Sequence, residues 1–149
     1  MIAIEAATAD AASALARLHE TAFGDHWSAA DIDGLLRSPG VFALSGALAG
    51  EAAGFILCRV AADEAEVLTL AVAPAMRRRG VAGALLDQAT VVALAAGAKA
   101  MFLEVATDNP GAMALYRGRA FEQVGRRPGY FSRLGEAVAA LIMRRDLNR

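Results

Sequence analysis

The sequence predicts an α+β domain built on one mixed β-sheet of about seven strands, with about four helices flanking it. Three observations lead to this prediction. The chain has 149 residues, which suits a single domain over residues 1–149 with a core of its own. Three strand-like runs follow one another with hairpin-short connections, which favours an antiparallel meander. Helices and strands then alternate, so the predicted order is β-α-α-β-β-β-α-β-α-β-β.

The N-terminal half contributes one strand, two helices and the meander. A weak alternation predicts an edge strand over Met1–Ala6, and Thr8 is a candidate cap for a helix that ends near Phe23. A capping-box pattern at Ser28 opens a short helix that ends before Pro39-Gly40. The meander strands are predicted over Val41–Leu48, Ala53–Val60 and Ala65–Val72.

The C-terminal half alternates helices and strands. A long helix is predicted over Val81–Ala96, followed by Gly97 as a left-handed end residue. Ala100–Val105 is predicted to be a buried strand, and Asn109-Pro110 starts a helix that runs to about Arg119. The last two strands are predicted over Phe121–Arg127 and Ala137–Arg144, with a loop between them.

The composition excludes several classes of protein. Lys99 and Asp87 interrupt the longest apolar runs, so no transmembrane helix is predicted, although 56% of the residues are hydrophobic. Glu5 and Asp10 stand where a signal peptide needs basic residues. We therefore expect a cytoplasmic protein with no membrane partner.

The cysteine, the two histidines and one arginine pair do not indicate a catalytic, metal or nucleic-acid site. The one cysteine, Cys58, lies in a predicted central strand and is interpreted as a buried, inert thiol. His19 and His26 have no partners at metal-ligand spacing, so no metal site is predicted. The Arg126-Arg127 pair lacks interleaved aromatic residues, so we expect no direct binding of nucleic acid.

The two halves of the chain differ in charge. Residues 1–75 hold ten acidic and three basic residues, whereas residues 76–149 hold six acidic and twelve basic ones. The split indicates an anionic ligand on the C-terminal half and a cationic one near Asp25, Asp31 and Asp33 around the second helix. A chance split on a solvated surface is the alternative.

The passage from Leu70 to Gly83 has the features of a phosphate-binding turn. A strand ends, a glycine-containing turn follows and a helix begins, whose first N–H groups have no partner within the helix. Small residues let a phosphate approach the backbone, and Arg77-Arg78-Arg79 adds positive charge. These features predict a pyrophosphate site; the alternative is a surface turn with solvated arginines.

The turn resembles the cofactor motif of a known family. Arg77-x-x-Gly80-x-Ala82 is similar to the acetyl-CoA signature (Gln/Arg)-x-x-Gly-x-(Gly/Ala) of the GNAT N-acetyltransferases. The resemblance implies that amides of the turn bind the pyrophosphate of acetyl-CoA, and that the preceding strand binds the pantetheine arm and the acetyl carbonyl. The residues so assigned are Leu70, Ala71, Val72, Arg77, Arg78, Arg79, Gly80, Val81, Ala82 and Gly83.

Two titratable side chains follow at the next strand and helix. Glu104 lies near the exit of an apolar strand and Tyr116 about two turns into the helix, so both are expected near one end of the sheet. Acetyl transfer to an amine needs a group that takes a proton from the amine and one that protonates the departing thiolate. Glu104, directly or through water, and Tyr116 suit these roles. The alternatives are an ion pair of Glu104 with an arginine and simple core packing of Tyr116.

The same segment narrows the resemblance. Leu103-Glu104-Val105 followed by Asn109-x-x-Ala112-x-x-Leu115-Tyr116 is similar to the RimI-type ribosomal-protein alanine N-acetyltransferases, and the likeness covers nearly the whole chain. The roles that it implies are proton acceptor for Glu104, proton donor for Tyr116, a cofactor contact for Asn109 and substrate contacts for Trp27 and Tyr130.

Three positions depart from the family's pattern. Ala120 stands where glycine is usual; because a left-handed alanine costs free energy, we expect the turn there to be shifted. Val138-Ala139-Ala140 stands where an acidic residue is common, and His26 where proline is common. The last two departures lie where the acceptor peptide is expected to bind. They therefore affect the predicted choice of acceptor more than the predicted reaction.

The sequence therefore predicts an acetyl-CoA-dependent N-acetyltransferase whose amine substrate attacks directly, in a cleft between central strands that diverge beyond Val72 and Val105. The N-terminal α-amine of a (ribosomal) protein is the expected acceptor, because an α-amine titrates near pH 8 and a lysine above pH 10. We expect a monomer or weak dimer. Acetylation of a small-molecule amine or a protein lysine, and a non-catalytic CoA-binding regulatory module, remain as alternatives.

Overall fold

The protein is described from a computed structural model that covers residues 1–23, 27–133 and 136–147. Its elements are β1 (Ile2–Ala7), α1 (Ala12–Phe23), α2 (Ala29–Leu36), β2 (Val41–Leu48), β3 (Glu51–Ala61), β4 (Glu64–Val72), α3 (Val81–Ala95), β5 (Ala100–Ala106), α4 (Pro110–Arg117), β6 (Glu122–Arg133) and β7 (Glu136–Asp146). The strands form one sheet in the order β1-β2-β3-β4-β5-β7-β6. All neighbouring strands are antiparallel except β4 and β5. The predicted α+β architecture is confirmed.

The two helical layers cover opposite faces of the sheet. On one face α3 and α4 pack over a core that includes Cys58, Met101 and Tyr116. On the other face α1 and α2 pack over a second core that includes Phe55 and Ala71. In the described ranges no helix is both long and apolar enough to cross a membrane.

Two tight turns build the predicted meander. Ala49-Gly50 joins β2 to β3 with φ angles of 51° and 81°, the left-handed pair that matches the twist of a hairpin. Ala62-Asp63 joins β3 to β4, and Ala62 has a φ of 54°. Both turns are shorter than predicted, so β3 begins at Glu51.

Side-chain caps start two of the helices as the sequence predicts. Ser28 Oγ accepts from the Asp31 N–H at 3.0 Å and Asp31 Oδ2 accepts from the Ser28 N–H at 3.1 Å, which completes a capping box. Asn109 Oδ1 accepts from the Ala112 N–H at 3.1 Å at the start of α4. Thr8 makes no side-chain cap, because a 3-10 turn separates it from α1.

The turn after α4 is not shifted as expected. Ala120 itself has a φ of 66°, and its N–H donates to the Arg117 carbonyl at 3.1 Å. The Phe121 N–H donates to the Tyr116 carbonyl at 3.0 Å, so the two bonds form a Schellman motif like the one at Gly97. The rings of Tyr116 and Phe121 meet edge to face at 5.8 Å. This packing offsets the roughly 1–2 kcal/mol that a left-handed alanine costs.

The last hairpin is longer than predicted. The segment expected to be a loop continues β6 as far as Arg133, and the register with β7 shifts between Arg127 and Phe131. Gly129 lies in this bulge with a φ of 65°. Proline and glycine are tolerated here because β6 is an edge strand and the bulge leaves residues unpaired.

The two parallel strands part earlier than predicted. β4 and β5 pair only over Glu64–Glu66 with Ala100–Phe102, so they diverge after Glu66 and Phe102 rather than beyond Val72 and Val105. A bulge in β4 at Leu68, opposite the Leu57/Cys58 step of β3, lies just beyond the last pair. Bulges bend a strand and increase its twist, which accounts for the early separation. The gap between β4 and β5 therefore extends from this last pair to the carboxyl ends of both strands.

Candidate active site

The turn between β4 and α3 presents free backbone donors. Gly80 is the N-cap residue of α3 with a φ of 82°, and as a glycine it has no side chain to cap the helix. Arg78 is also left-handed, with a φ of 64°. The first bond within the helix runs from the Ala84 N–H to the Gly80 carbonyl at 3.0 Å. The N–H groups of the first turn before Ala84 have no partner within the helix, so the turn fits an anion.

The three consecutive arginines have different environments. The Arg77 guanidinium donates to the Val72 carbonyl at 3.2 Å and to the Ala22 carbonyl at 2.9 Å. Arg77 therefore joins the end of α1 to the end of β4. Arg78 and Arg79 are exposed at the turn, and neither forms an ion pair with the described part of the chain. These two are the arginines placed to meet a phosphate.

A further arginine, not identified from the sequence, lies against the first turn of α3. The guanidinium of Arg119 packs directly on Gly83, where a Cβ atom would overlap it. Asp87 holds Arg119 through an ion pair of 2.9 Å. The glycine in the first turn was a signal for such a close approach, but the sequence does not reveal which side chain makes it.

The end of β4 exposes backbone groups to the gap. The Ala73 N–H donates to the Ala53 carbonyl at 2.8 Å, so by alternation Ala71 is hydrogen-bonded to β3 while Leu70 and Val72 turn their peptide groups away from it. The Val72 carbonyl accepts from Arg77, which leaves the Val72 N–H facing the gap. Of the three predicted strand residues, Leu70 and Val72 have the right orientation for a backbone ligand.

Glu104 lies on β5 with its side chain on the face opposite α3 and α4. Its Oε1 forms an ion pair with Arg127 Nη2 at 3.2 Å. The alternative role expected for Glu104, an ion pair with an arginine, is therefore present in the structure. Its Oε2 is buried and has no hydrogen-bond partner among the described residues. The side chain is 19% exposed, against 53% for Arg127. One carboxylate oxygen thus retains an unused capacity to accept a hydrogen bond within the described chain.

Tyr116 lies on the other face of the sheet, in the core beneath α3 and α4. Its ring packs against Phe121, and burial together with the nearby Cys58 raises the pKa of Tyr116 to about 12. Glu104 and Tyr116 therefore lie on opposite faces of the sheet rather than side by side. They can act on one molecule only if that molecule passes through the gap between β4 and β5.

This geometry agrees with the comparison to known families. Residues 9–121, more than half of the chain, match the model of the acetyltransferase (GNAT) family. The chain belongs to the GNAT family. The membership expected from the Arg77–Ala82 motif is thereby confirmed.

Several GNAT relatives and structures resemble the chain. It is 41% identical to the N-alpha-acetyltransferase RimI of Mycobacterium tuberculosis over 101 residues, 68% of this chain and 61% of the relative. It is 32% identical to the [ribosomal protein bS18]-alanine N-acetyltransferase of Escherichia coli K12 over 94 residues, 63% of this chain and 64% of the relative. The matches thus span less than two thirds of these relatives. The crystal structure of the Escherichia coli ribosomal-protein-S18-alanine N-acetyltransferase superposes with a TM-score of 0.92 at 24% identity, covering 100% of this chain and 96% of that one.

The two predicted substrate residues, Trp27 and Tyr130, lie on different elements: Trp27 precedes α2 and Tyr130 lies on β6. Trp27 stacks on His19 with ring centroids 4.9 Å apart, next to the start of α2. Tyr130 is about half exposed on β6, and Arg127 lies 5.0 Å from the centre of its ring. His26, which departs from the family's pattern, lies outside the described residues. Asp25, which was expected to contribute to an acidic surface, also lies outside them.

The other acidic residues of the predicted cationic site are used locally. Asp31 belongs to the capping box of α2, and Asp33 forms an ion pair with Arg37 at 3.0 Å. Within the described ranges no group of three His, Cys, Asp or Glu side chains is placed to hold a metal ion. Asn109 Oδ1 caps α4, so the side-chain amide N–H groups are the donors that remain for a hydrogen bond to a cofactor.

Burial of Cys58 predicts a loss of stability in base. The thiol is fully buried in β3, and burial raises its pKa from 9.0 to about 12. The unfolded chain therefore releases this proton first, and stability that is complete below pH 9 is lost as the pH rises toward 12. At about 1.4 kcal/mol per pKa unit the full loss is about 4 kcal/mol.

Urea unfolding at pH 8 and pH 11 measures this loss. Cys58→Ala removes the thiol, so we expect its free energy of unfolding to fall less between the two pH values than that of the native chain. An equal fall in both proteins would contradict the assignment of the alkaline loss to Cys58.

Proposed function

We propose that residues 1–149 form a single acetyl-CoA-dependent N-acetyltransferase domain that acetylates the N-terminal α-amine of a protein. The observation that carries this proposal is the position of Glu104 beside the gap between β4 and β5, with one buried carboxylate oxygen that no described residue contacts through a hydrogen bond. The gap joins this carboxylate on one face to the phosphate-binding turn and Tyr116 on the other. An amine and an acyl donor that enter from opposite faces meet there.

The chain has suitable groups to hold the acyl donor. The free N–H groups at the start of α3, with Arg78 and Arg79, would bind the pyrophosphate of acetyl-CoA. The peptide groups of Leu70 and Val72 would bind its pantetheine arm, and the Asn109 amide would add a contact. Acetyl-CoA, when bound, supplies an acyl group activated as a thioester.

Glu104 takes the proton that the attacking amine must lose. Its Oε2 accepts a hydrogen bond from the amine or from a bridging water, which satisfies an atom that is otherwise costly to bury. Arg127 does not prevent this, because it contacts Oε1 and half of its side chain is exposed, where such pairs contribute about 0.2–1 kcal/mol. Ordinary pKa values near 8 for an α-amine and above 10 for lysine favour the α-amine at neutral pH.

Tyr116 and Val72 act on the other side of the thioester. The Val72 N–H, which faces the gap, polarises the acyl carbonyl. The Tyr116 hydroxyl donates a proton to the departing sulfur; its raised pKa keeps it protonated at every working pH. No residue of the chain needs to become acylated.

The relatives support a protein terminus as acceptor. The Escherichia coli relative is named for acetylation of the alanine of ribosomal protein bS18, and the Mycobacterium tuberculosis relative is an N-alpha-acetyltransferase. We therefore propose a protein that begins with alanine or serine, with a ribosomal protein as the leading candidate. Panels of small amines and lysine peptides distinguish the alternatives.

Calorimetry with acetyl-CoA tests the cofactor site first. We expect micromolar binding that weakens about tenfold, or 1.4 kcal/mol, when Arg78 and Arg79 are both replaced by alanine. A matched control replaces Arg17 and Arg37, two exposed arginines on α1 and after α2, and should bind as the native chain does. Absence of binding in the native chain would overturn the proposed function.

A further inference from the structure

A pocket of about 310 Å³ lies on the face of the sheet opposite α3 and α4, and Glu104 is part of its lining. Strands β3, β4, β5, β6 and β7 all contribute to it. The side chains that matter for its chemistry are Arg59, Glu64, Glu66, Phe102, Arg127 and Ile142. The pocket is thus continuous with the carboxylate to which the proposed function assigns the amine.

The pocket carries unbalanced negative charge. Arg127 is paired with Glu104, so these two charges cancel. Glu64 and Glu66 are exposed and form no ion pair with any described residue. Arg59 is the one remaining guanidinium that lines the pocket among these residues, and it lies directly opposite Glu66 in the pairing of β3 with β4; the net charge of the lining is −1. Phe102 and Ile142 supply apolar surface between the charged groups. The guanidinium of Arg144, which is paired with Asp146, lies 5.7 Å from the centre of the Phe102 ring.

The register places these carboxylates within reach of an acceptor chain. Glu66 pairs with Phe102, two residues before Glu104 on β5. Two residues of strand span about 6.6 Å and one strand spacing about 4.8 Å, so the Cα atoms of Glu66 and Glu104 lie about 8 Å apart. An extended acceptor advances about 3.3 Å per residue. With its amine at Glu104, its second or third side chain reaches Glu66.

We propose that this pocket binds a lysine or arginine side chain at the second or third position of the acceptor protein. The alkyl stem packs on Phe102 and Ile142 while the cation meets Glu64 and Glu66. The assignment rests on the proposed function, because it takes the position of the acceptor amine from Glu104. The pocket thus replaces the second helix as the proposed binding site for a cationic ligand, since Asp31 and Asp33 are engaged in local bonds.

Peptides that begin with alanine and differ only at positions two and three test the pocket. Arginine, glutamine or glutamate is placed at each position, and KM is measured at low and high salt. We expect the arginine peptide to have a KM about five- to tenfold below that of the glutamine peptide at low salt, with kcat unchanged. The advantage should shrink at 0.5 M salt, because ions screen exposed charges.

The double variant Glu64→Gln, Glu66→Gln should reduce the KM ratio to about one, while the control Glu5→Gln, Glu122→Gln should keep it. Equal KM values for all peptides in the native chain would overturn the pocket assignment and leave the proposed function standing. Binding of acetyl-CoA with no turnover of any peptide would overturn both.

Discussion

Replacing Glu104 with glutamine should reduce kcat by about 10²–10⁴-fold at neutral pH, because glutamine cannot take the proton that the amine loses. The side chain keeps its size and can still accept a hydrogen bond from Arg127, so β5 and its pairing with β7 should be preserved. The measurement is kcat at pH 7 with an alanine-initiated peptide. Binding of acetyl-CoA to the variant should match the native chain.

The pH profile separates loss of the base from structural damage. An α-amine titrates near pH 7.7–8.0, so at pH 9 most of the acceptor is already neutral and the variant should recover part of its rate. Glu5→Gln is the matched control, since Glu5 lies exposed on the edge strand β1. Full activity of Glu104→Gln at neutral pH would falsify the base assignment.

Replacing Tyr116 with phenylalanine should lower kcat by about 100-fold with little change in KM for either substrate. The ring still packs edge to face on Phe121, so only the proton donor is lost. Because burial raises the pKa of Tyr116 to about 12, the active protonated form persists up to that pH and is lost only above it. The native chain should therefore show no decline in kcat from this group below about pH 11.

Steady-state rates from pH 7 to pH 10, with circular dichroism as a check on folding, test the role of Tyr116. A variant that folds, binds acetyl-CoA and keeps the native kcat would show that Tyr116 only packs the core. A native profile that falls with an apparent pKa near 10 would instead mean that the hydroxyl is more exposed than the structure places it.

Most of the fold follows from local signals. Ser28 and Asn109 start helices because their side chains accept from backbone N–H groups three residues on, which a short sequence window contains. The hairpins follow from paired strand-like runs. The β6 bulge was missed because Pro128 and Gly129 have the same signature in an edge-strand bulge as in a loop. Ala120 was missed because tertiary packing of Phe121 outweighs a local cost.

The candidate site was predictable only in part. Two sequence motifs located the candidate phosphate-binding turn and the two titratable residues, since each motif is a contiguous pattern. Contacts between distant segments were not visible: the Arg77 bonds to α1, the Arg119 contact with Gly83 and the Arg127 ion pair with Glu104. The pairing length of β4 and β5 also depends on the register of distant strands, which side-chain periodicity does not encode.

The sheet separates the two halves of the proposed reaction, and this has a consequence for how such a chain diversifies. Glu64 and Glu66 lie on the opposite face from the α3 turn, and they contact none of its residues through hydrogen bonds or ion pairs within the described chain. Under the proposed function, substitutions of Glu64 or Glu66 would change the choice of acceptor while the donor site stays intact. Acceptor choice would then change in evolution without a change of acyl donor.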